Sequence, residues 1–254
     1  MGKTVGIVQA RIGSTRLPGK VLLPLGDRCV LQWVLDRLAR AERLDQIVVA
    51  TSLKADDDAI AECCDRWGIG CFRGSENDLL DRFVSTARAF DADLVVRVNA
   101  DNPLVDPHYV DELVSDTLQS GADYESFQLG TGRHVMLTAL SFFAETATRQ
   151  CLERADEVII DQFEREHVTL GIYKRSSMFK VRFLSVPSFC NKPYVRFTLD
   201  TQADLELLRE VFATLGDKAE SAEALNVMQL LEEHPQWRNI MIEQSSLNPK
   251  SSKK

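Results

Sequence analysis

Four short apolar runs, separated by segments with helical periodicity, fill the first hundred residues of this chain. The runs are Val5–Val8, Ile47–Ala50, Gly70–Phe72 and Leu94–Val98. An uninterrupted apolar run of this length is typical of a strand that is buried on both faces of a parallel sheet. Strands that alternate with helices at this spacing form right-handed βαβ units. The sequence therefore predicts an α/β fold with a mainly parallel sheet.

Helical periodicity recurs between and after these runs. We expect helices over Arg28–Glu42, Asp56–Trp67, Pro107–Gln119, Leu140–Arg154, Val158–Phe163, Thr201–Leu215 and Ala222–Glu233, and one more that carries Leu79, Leu80, Phe83 and Ala87. Alternation predicts two late strands, Phe179–Leu184 and Tyr194–Leu199. The acidic triplet Asp56–Asp58 and Ser75 are expected to cap the helices that follow them.

Length and charge narrow the class of protein further. We interpret residues 1–244 as one domain with an inserted arm over about 130–185, and residues 245–254, rich in Ser and Lys, as a disordered tail. The formal net charge is −8, with 30 Lys and Arg against 38 Asp and Glu. A net-acidic chain without basic runs argues against nucleic acid or an anionic membrane as its main partner.

The sequence carries no signal-peptide pattern, and no apolar stretch approaches the length that spans a bilayer. Its six cysteines show no CxxC spacing, so a structural zinc site is not expected. They are typical of free thiols in a reducing compartment, and we expect a cytoplasmic protein.

The loop that follows the first apolar run, from Ala10 to Lys20, concentrates phosphate-binding chemistry. It holds three cations, Arg11, Arg16 and Lys20, together with hydroxyls and the glycines Gly13 and Gly19. At the carboxyl end of a strand in an open α/β sheet, such a loop predicts a polyphosphate ligand. Five residues between the glycines exclude a Walker A motif, which needs four. Composition alone fits a solvated basic loop equally well.

The sequence QARIGSTRLPGK, which contains this loop, resembles the signature motif of the cytidylyltransferases that make CMP-activated sugars, such as CMP-Kdo synthetase and the spore-coat polysaccharide enzymes. The resemblance covers roughly residues 4–215. It implies a Rossmann-like nucleotide-diphosphosugar transferase fold, a homodimer formed through the inserted arm, and CTP as a substrate. Residues implied to contact CTP are Ala10, Arg11, Gly13, Ser14, Lys20, Arg73 and Asn99, the last two near the cytosine.

Two aspartates are candidate ligands of Mg²⁺. Asp101 follows the fourth apolar run, and a carboxylate at that point can hold Mg²⁺ together with substrate phosphates. A turn or capping role fits its Asn-Pro context equally well. The resemblance implies the metal role for Asp101, although Ala100 replaces the family's glycine. It also implies a second ligand, Asp200, where helix capping by Asp200 or Thr201 is the alternative.

Candidate acceptor-binding residues are Arg133, His134, His167 and Arg196. The loop Gly132–Met136 lacks the two acidic residues that the spore-coat enzymes usually carry, and Arg133 with His134 makes it basic. That departure favours an acidic acceptor. Arg196 could bind an acid group of the acceptor through two hydrogen bonds, or pair with an acidic side chain of the protein. A lone histidine such as His167 is often structural.

Together these features predict a Mg²⁺-dependent cytidylyltransferase that couples CTP to an acidic sugar, with Arg11, Lys20 and Asp101 as the catalytic residues. The resemblance points to surface polysaccharide biosynthesis. A cytidylyltransferase acting on a sugar phosphate or phosphonate, a glycosyltransferase of the same fold, and a non-catalytic nucleotide-binding homologue are the alternatives.

Overall fold

The computed structural model describes residues 2–247, in which one seven-stranded sheet is flanked by helices and a short hairpin lies beside it. The strands are β1 Thr4–Gln9, β2 Pro24–Leu25, β3 Arg28–Cys29, β4 Gln46–Ser52, β5 Gly70–Gly74, β6 Leu94–Asn99, β7 Tyr124–Gln128, β8 Glu145–Thr148 and β9 Val181–Ser185. The helices are α1 Val30–Leu38, α2 Asp58–Trp67, α3 Leu79–Ala89, α4 Pro107–Ser120, α5 Arg149–Val158, α6 Gln162–Glu166, α7 Leu170–Tyr173, α8 Gln202–Leu215, α9 Ala224–Glu233 and α10 Pro235–Leu247.

The strand order in the sheet is β5-β4-β1-β6-β8-β7-β9. Strands β5, β4, β1 and β6 are parallel neighbours, β7 and β9 are parallel to each other, and β8 pairs antiparallel on both sides. Only β8 is therefore reversed in this sheet. The prediction of an α/β fold with a mainly parallel sheet is confirmed.

Strand order explains where a ligand is expected to bind. The chain moves outward from β1 to β4 and β5, then returns to place β6 on the other side of β1. Gln9 and Asn99 lie side by side at the carboxyl ends of β1 and β6. In open α/β sheets the binding crevice lies outside the strand ends at such a reversal.

The two faces of the sheet bury separate apolar layers because strand side chains alternate. Val8 of β1 and Val96 of β6 pack in one layer with α1, α4, α8 and α9. Ile7 of β1 and Val95 of β6 pack in the other layer with α3 and α5. Arg97 shares the second face, since it is two residues from Val95. A charged side chain thus points into a layer that is otherwise apolar.

Several predicted elements after residue 130 are wrong. The middle of the expected helix Leu140–Arg154 is β8, and α5 begins only at Arg149, capped by the Thr148 hydroxyl. Pairing with β6 and β7 overrides the helical periodicity of this segment. The expected strand Tyr194–Leu199 is reduced to one isolated bridge between Ala139 and Arg196.

Two predicted caps are also wrong in detail. Asp78, rather than Ser75, caps α3 by accepting a hydrogen bond from the Asp81 N–H, while Ser75 accepts one from the Asp78 N–H. Asp57 precedes α2, but its carboxylate makes no capping bond to that helix. The Asp57 carboxylate instead holds the loop after β1, as described below.

The predicted tail divides at residue 247. Residues 245–247 form the end of α10, and residues 248–254 lie outside the described part of the chain. Over residues 2–247, none of the helices combines the length and the apolar character needed to cross a membrane.

Candidate active site

A cavity of about 360 Å³ opens at the carboxyl ends of β1 and β6. One wall is the loop over residues 10–20, and the floor carries Asn99 and Asp101. The opposite wall comes from residues 136–137 and 166–173 of the predicted arm. The cavity therefore lies at the crevice that the strand order predicts.

Short backbone bonds shape the loop wall. The carbonyl of Ile12 accepts from the N–H groups of Ser14 at 2.7 Å and Gly19 at 3.0 Å, which folds the loop back on itself. Gly19 has φ of +69°, a conformation that favours glycine. The Ile12 N–H donates to Asp57 Oδ1 at 2.7 Å, and the Ser52 hydroxyl donates to Asp57 Oδ2. Buried Asp57 thus ties the loop to the end of β4.

All five loop residues predicted to contact CTP line this cavity: Ala10, Arg11, Gly13, Ser14 and Lys20. A Cβ built on Gly13 would meet no atom within 4 Å, so open space faces the backbone there. Such a backbone suits close approach of a phosphate. Their nucleotide contacts remain predictions.

Lys20 joins the two predicted metal ligands. Its Nζ donates to Asp101 Oδ2 at 2.6 Å, to Asp200 Oδ1 at 3.1 Å and to the Leu199 carbonyl at 2.7 Å. Burial lowers the pKa of Lys20, but the two carboxylates more than offset that effect and the pKa is raised. Arg16 reaches the same Asp200 oxygen at 3.1 Å. Asp101 and Asp200, which are 81 and 180 positions from Lys20 along the chain, thus both contact its ammonium.

The residues present fit a divalent metal. Asp101 Oδ1 is buried and has no hydrogen-bond partner, which leaves an acceptor available for a cation. Over residues 2–247 no group of three or more His, Cys, Asp or Glu side chains could hold a metal. Two carboxylates alone suit Mg²⁺, which keeps waters and takes its other oxygens from substrate phosphates.

The side chain of Asp200 also contacts Arg196. The Arg196 guanidinium, 2% exposed, binds both oxygens of Asp204 at 2.7 and 2.9 Å and reaches Asp200 Oδ2 at 3.3 Å. Thr201, in a capping box with Asp204, caps α8. Arg196 is not among the residues that line the cavity, so this geometry does not support its predicted direct contact with the acceptor, which stays a prediction. Its place is to position Asp200.

Three other residues predicted to contact a substrate do not line the cavity, namely Arg73, Arg133 and His134. Arg73 donates to the carbonyls of Ser52 and Lys54 and pairs with Asp58 at 2.6 Å, so acceptors of the protein occupy its guanidinium. The geometry does not support its predicted contact with cytosine.

The two basic side chains of the loop Gly132–Met136 fold onto the protein, while Met136 at its end lines the cavity. Arg133 Nη2 donates to the Leu137 carbonyl. His134 stacks on Phe183 with ring centroids 4.0 Å apart, and burial lowers the pKa of its imidazole. Neither Arg133 nor His134 is among the residues that line the cavity, so their direct contacts with an acceptor stay predictions that this packing does not support.

Asn99 and His167 do line the cavity. Asn99 Oδ1 is buried without a hydrogen-bond partner. His167 Nδ1 lies 2.8 Å from the Phe163 carbonyl, so this nitrogen carries the hydrogen and Nε2 is left for other contacts. Both residues keep a polar atom for a ligand.

Sequence reasoning missed two arginines of the cavity wall, Arg82 and Arg97. Arg82 is 2% exposed and donates to the carbonyls of Ser75 and Glu76. Burial, together with the charge of Arg11, lowers its pKa. Both arginines interrupt apolar patterns, Arg82 in the stripe of α3 and Arg97 in the run of β6. A charge inside an apolar pattern is the signal that would have found them.

Known proteins resemble this chain over most of its length. A family model described as cytidylyltransferase matches residues 5–236. An uncharacterised protein of Methanocaldococcus jannaschii is 38% identical over 238 residues, 94% of each chain. A spore coat polysaccharide biosynthesis protein of Bacillus subtilis is 33% identical over 241 residues, 92% of this chain and 96% of the relative.

Solved structures agree. A cytidylyltransferase from Leptospira borgpetersenii superposes with a TM-score of 0.84 at 29% identity, covering 93% of this chain and 97% of that one. Two others share the fold alone. They are a CMP:2-keto-3-deoxy-manno-octonic acid synthetase complexed with CTP (TM-score 0.61, 18% identity, 84% of this chain, 99% of that one) and a Mycobacterium tuberculosis protein complexed with manganese (0.56, 20%, 83%, 99%).

Proposed function

This chain belongs to the cytidylyltransferase family, and from that premise we propose that it couples CTP to an acidic sugar, releasing pyrophosphate and a CMP-sugar. It is a nucleotidyltransferase of the CMP-sugar synthetase type. One observation carries the specific proposal: the loop over residues 10–20 meets two remote carboxylates through Lys20 in one cavity. A triphosphate and a cation that neutralises it need those groups side by side.

The loop is assigned to the triphosphate. Arg11, Arg16 and Arg82 bring positive charge to the cavity lining, and burial and the charge of Arg11 lower the pKa of buried Arg82. A bound polyanion would offset this positive charge. Asn99 Oδ1, a buried acceptor without a partner, suits the exocyclic amino group that cytosine has and uracil lacks.

Mg²⁺ is assigned to Asp101 and Asp200, where it would supply charge neutralisation and polarisation of the phosphates. The chain's own residues do the rest. Arg196 holds Asp200 in place, and Lys20 and Arg11 bind the departing pyrophosphate as its negative charge grows. The attacking oxygen of the acceptor enters from the wall that carries His167 and Thr169. Catalysis then depends on positioning and electrostatics.

The test is pyrophosphate release from CTP and Mg²⁺ with a panel of sugar acids, sugar phosphates and phosphonates, followed by identification of the nucleotide product. Asp101→Asn and Asp200→Asn should each lower the rate at least about 100-fold, since each removes a charge at the reacting phosphates. Asp217→Asn, at an exposed position on another part of the surface, is the matched control.

Full activity in either site variant would refute the assignment of the metal. Release of pyrophosphate from UTP but not from CTP would refute the assignment of CTP as the substrate. A product with two phosphates would identify a sugar phosphate as the acceptor, and binding of CTP without turnover of any acceptor would identify a non-catalytic homologue.

A homodimer through the arm and a cytoplasmic location belong to the same proposal. The arm exposes several large apolar side chains, among them Ile160 at 90% and Met178 at 44%. Exposed apolar groups of this size favour a partner surface. Light scattering of the wild type and of Ile160→Lys measures the assembly directly, and a monomeric wild type would remove the dimer from the proposal.

A further inference from the structure

Arg97 is a buried cation on the wall of the cavity whose role the nucleotide does not explain. It lies in the middle of β6 and its side chain is 10% exposed. Its Nε donates to Gln9 Oε1 at 3.0 Å, and its Nη1 donates to Glu145 Oε2. Arg97 and Glu145 are directly opposite in the antiparallel register of β6 and β8. Cross-strand pairs of this kind fix the direction of both side chains.

Glu145 is itself held on all sides. It is fully buried, and Oε1 accepts from the Tyr124 hydroxyl at 2.5 Å and from the Thr169 hydroxyl at 2.8 Å. With Arg97 on its other oxygen, the carboxylate has three donors from three separate segments. A satisfied network of this kind is rigid, so the guanidinium has one orientation.

In that orientation, some N–H groups of the Arg97 guanidinium make no hydrogen bond to the described part of the protein. A guanidinium has five N–H groups, and within residues 2–247 Arg97 contacts two side-chain acceptors. The side chain lines the cavity together with His167, Thr169 and Tyr173, on the wall that is not the phosphate-binding loop. No Arg97 nitrogen is sealed off from solvent without a partner among the described residues, so the donors that remain open onto the cavity and can bind an acceptor on a ligand there.

The charges on this wall select the kind of ligand. Glu145 compensates the charge of Arg97, and Glu166 lines the same cavity. The cations of the cavity that form no ion pair within residues 2–247 are Arg11 and Arg82, whereas Arg16 pairs with Asp200. A group with one negative charge and two oxygens in a plane matches a compensated guanidinium better than a dianion does.

We propose that Arg97, held in place by Glu145, binds the carboxylate of the acceptor sugar and so selects a sugar acid over a sugar phosphate. This inference rests on the proposed function for the identity of the second substrate. It adds the residue that recognises that substrate and the chemical group that is recognised.

The variants must separate recognition from folding. Arg97→Gln alone would leave Glu145 as a buried charge without its partner, so the test uses Arg97→Gln/Glu145→Gln, which removes both charges. The control is Arg182→Gln/Glu125→Gln, because Arg182, 46% exposed, and buried Glu125 also form a cross-strand pair, on β9 and β7, and neither lines the cavity. Arg97→Lys keeps the charge and removes the planar fork.

Binding is measured by calorimetry with CTP and EDTA present, so that no turnover occurs. The probes are glucuronate, 3-deoxy-manno-octulosonate, glucose 1-phosphate and galactose. We expect at least one sugar acid to bind the wild type, and Arg97→Gln/Glu145→Gln to weaken that binding about 10-fold to 100-fold. Arg97→Lys should fall between, while the control pair stays within twofold of the wild type. Affinity for CTP alone should change less than threefold in every variant.

Failure of this inference differs from failure of the proposed function. Binding of a sugar acid that depends on Arg97, without pyrophosphate release, supports the inference and refutes transfer to that acid. Turnover of a sugar acid with an unchanged KM in Arg97→Gln/Glu145→Gln refutes the inference and leaves the proposed function standing. The inference is also refuted if no sugar acid binds the wild type, or if glucose 1-phosphate binds more tightly through Arg97.

Discussion

Replacing Lys20 with methionine removes the ammonium that both candidate metal ligands contact while keeping a long unbranched side chain. In the wild type this ammonium lies 2.6 Å from Asp101 Oδ2 and 3.1 Å from Asp200 Oδ1, and its side chain is 13% exposed. The raised pKa keeps Lys20 charged at any ordinary assay pH. A divalent cation and Lys20 therefore compete for the same carboxylates before the nucleotide arrives.

The size of the competition follows from these contacts. A hydrogen bond to a charged group contributes about 1.5–3 kcal/mol, so releasing the ammonium from even one carboxylate costs about 1.5 kcal/mol. That cost corresponds to about tenfold in a dissociation constant. Lys20→Met should thus bind Mn²⁺ about tenfold more tightly than the wild type in the absence of CTP. The same variant should release pyrophosphate about 100-fold more slowly, because a cation at the departing phosphates is lost.

The assay is titration with Mn²⁺, following the electron paramagnetic resonance signal of the free ion, with no nucleotide present. Lys20→Met/Asp101→Asn serves as the control, since it removes one ligand and should cancel the gain. Thermal unfolding with and without Mn²⁺ checks that the variant is folded. Unchanged or weaker Mn²⁺ binding by Lys20→Met would refute the view that the ammonium occupies the position of the metal.

Two further predictions concern residues that are not assigned a role in the reaction. Asp57→Ala should raise the KM for CTP about tenfold and lower the free energy of unfolding by about 1–3 kcal/mol, because the Ile12 N–H loses its buried acceptor; steady-state kinetics with an unchanged KM would contradict this. Burial and the hydrogen bond with Asp116 raise the pKa of Glu125 to about 7, above its ordinary 4.5, so the folded protein holds a proton that the unfolded chain releases. Stability should therefore fall as pH rises from about 4.5 to 7, and Glu125→Gln should lose that decline in urea unfolding series; parallel curves for the two proteins would count against it.

Local pattern was enough to predict the first half of the molecule. The apolar runs of β1, β4 and β6 are buried on both faces, so their hydrophobicity identifies them without knowledge of their partners. The loop over residues 10–20 is one contiguous stretch, and its residues line the cavity together because the chain turns back at Ile12. β8 was missed because its four residues become a strand only by pairing with β6 and β7.

The arginines mark the limit of sequence reasoning. Arg73 and Arg196 lie in segments whose sequence resembles the family motifs. Acidic or carbonyl partners in the protein bind both side chains, and neither lines the cavity. Arg82 and Arg97 carry no motif, but strand register and helix packing bring both to its wall.

By itself the sequence determined the fold class and the loop, since both depend on residues that are neighbours along the chain. Only the tertiary structure decided which charges line the cavity. The direction of a long cationic side chain is set by the acceptors around it, and those acceptors, Glu145 for Arg97 and Asp204 for Arg196, are supplied by other elements of the fold.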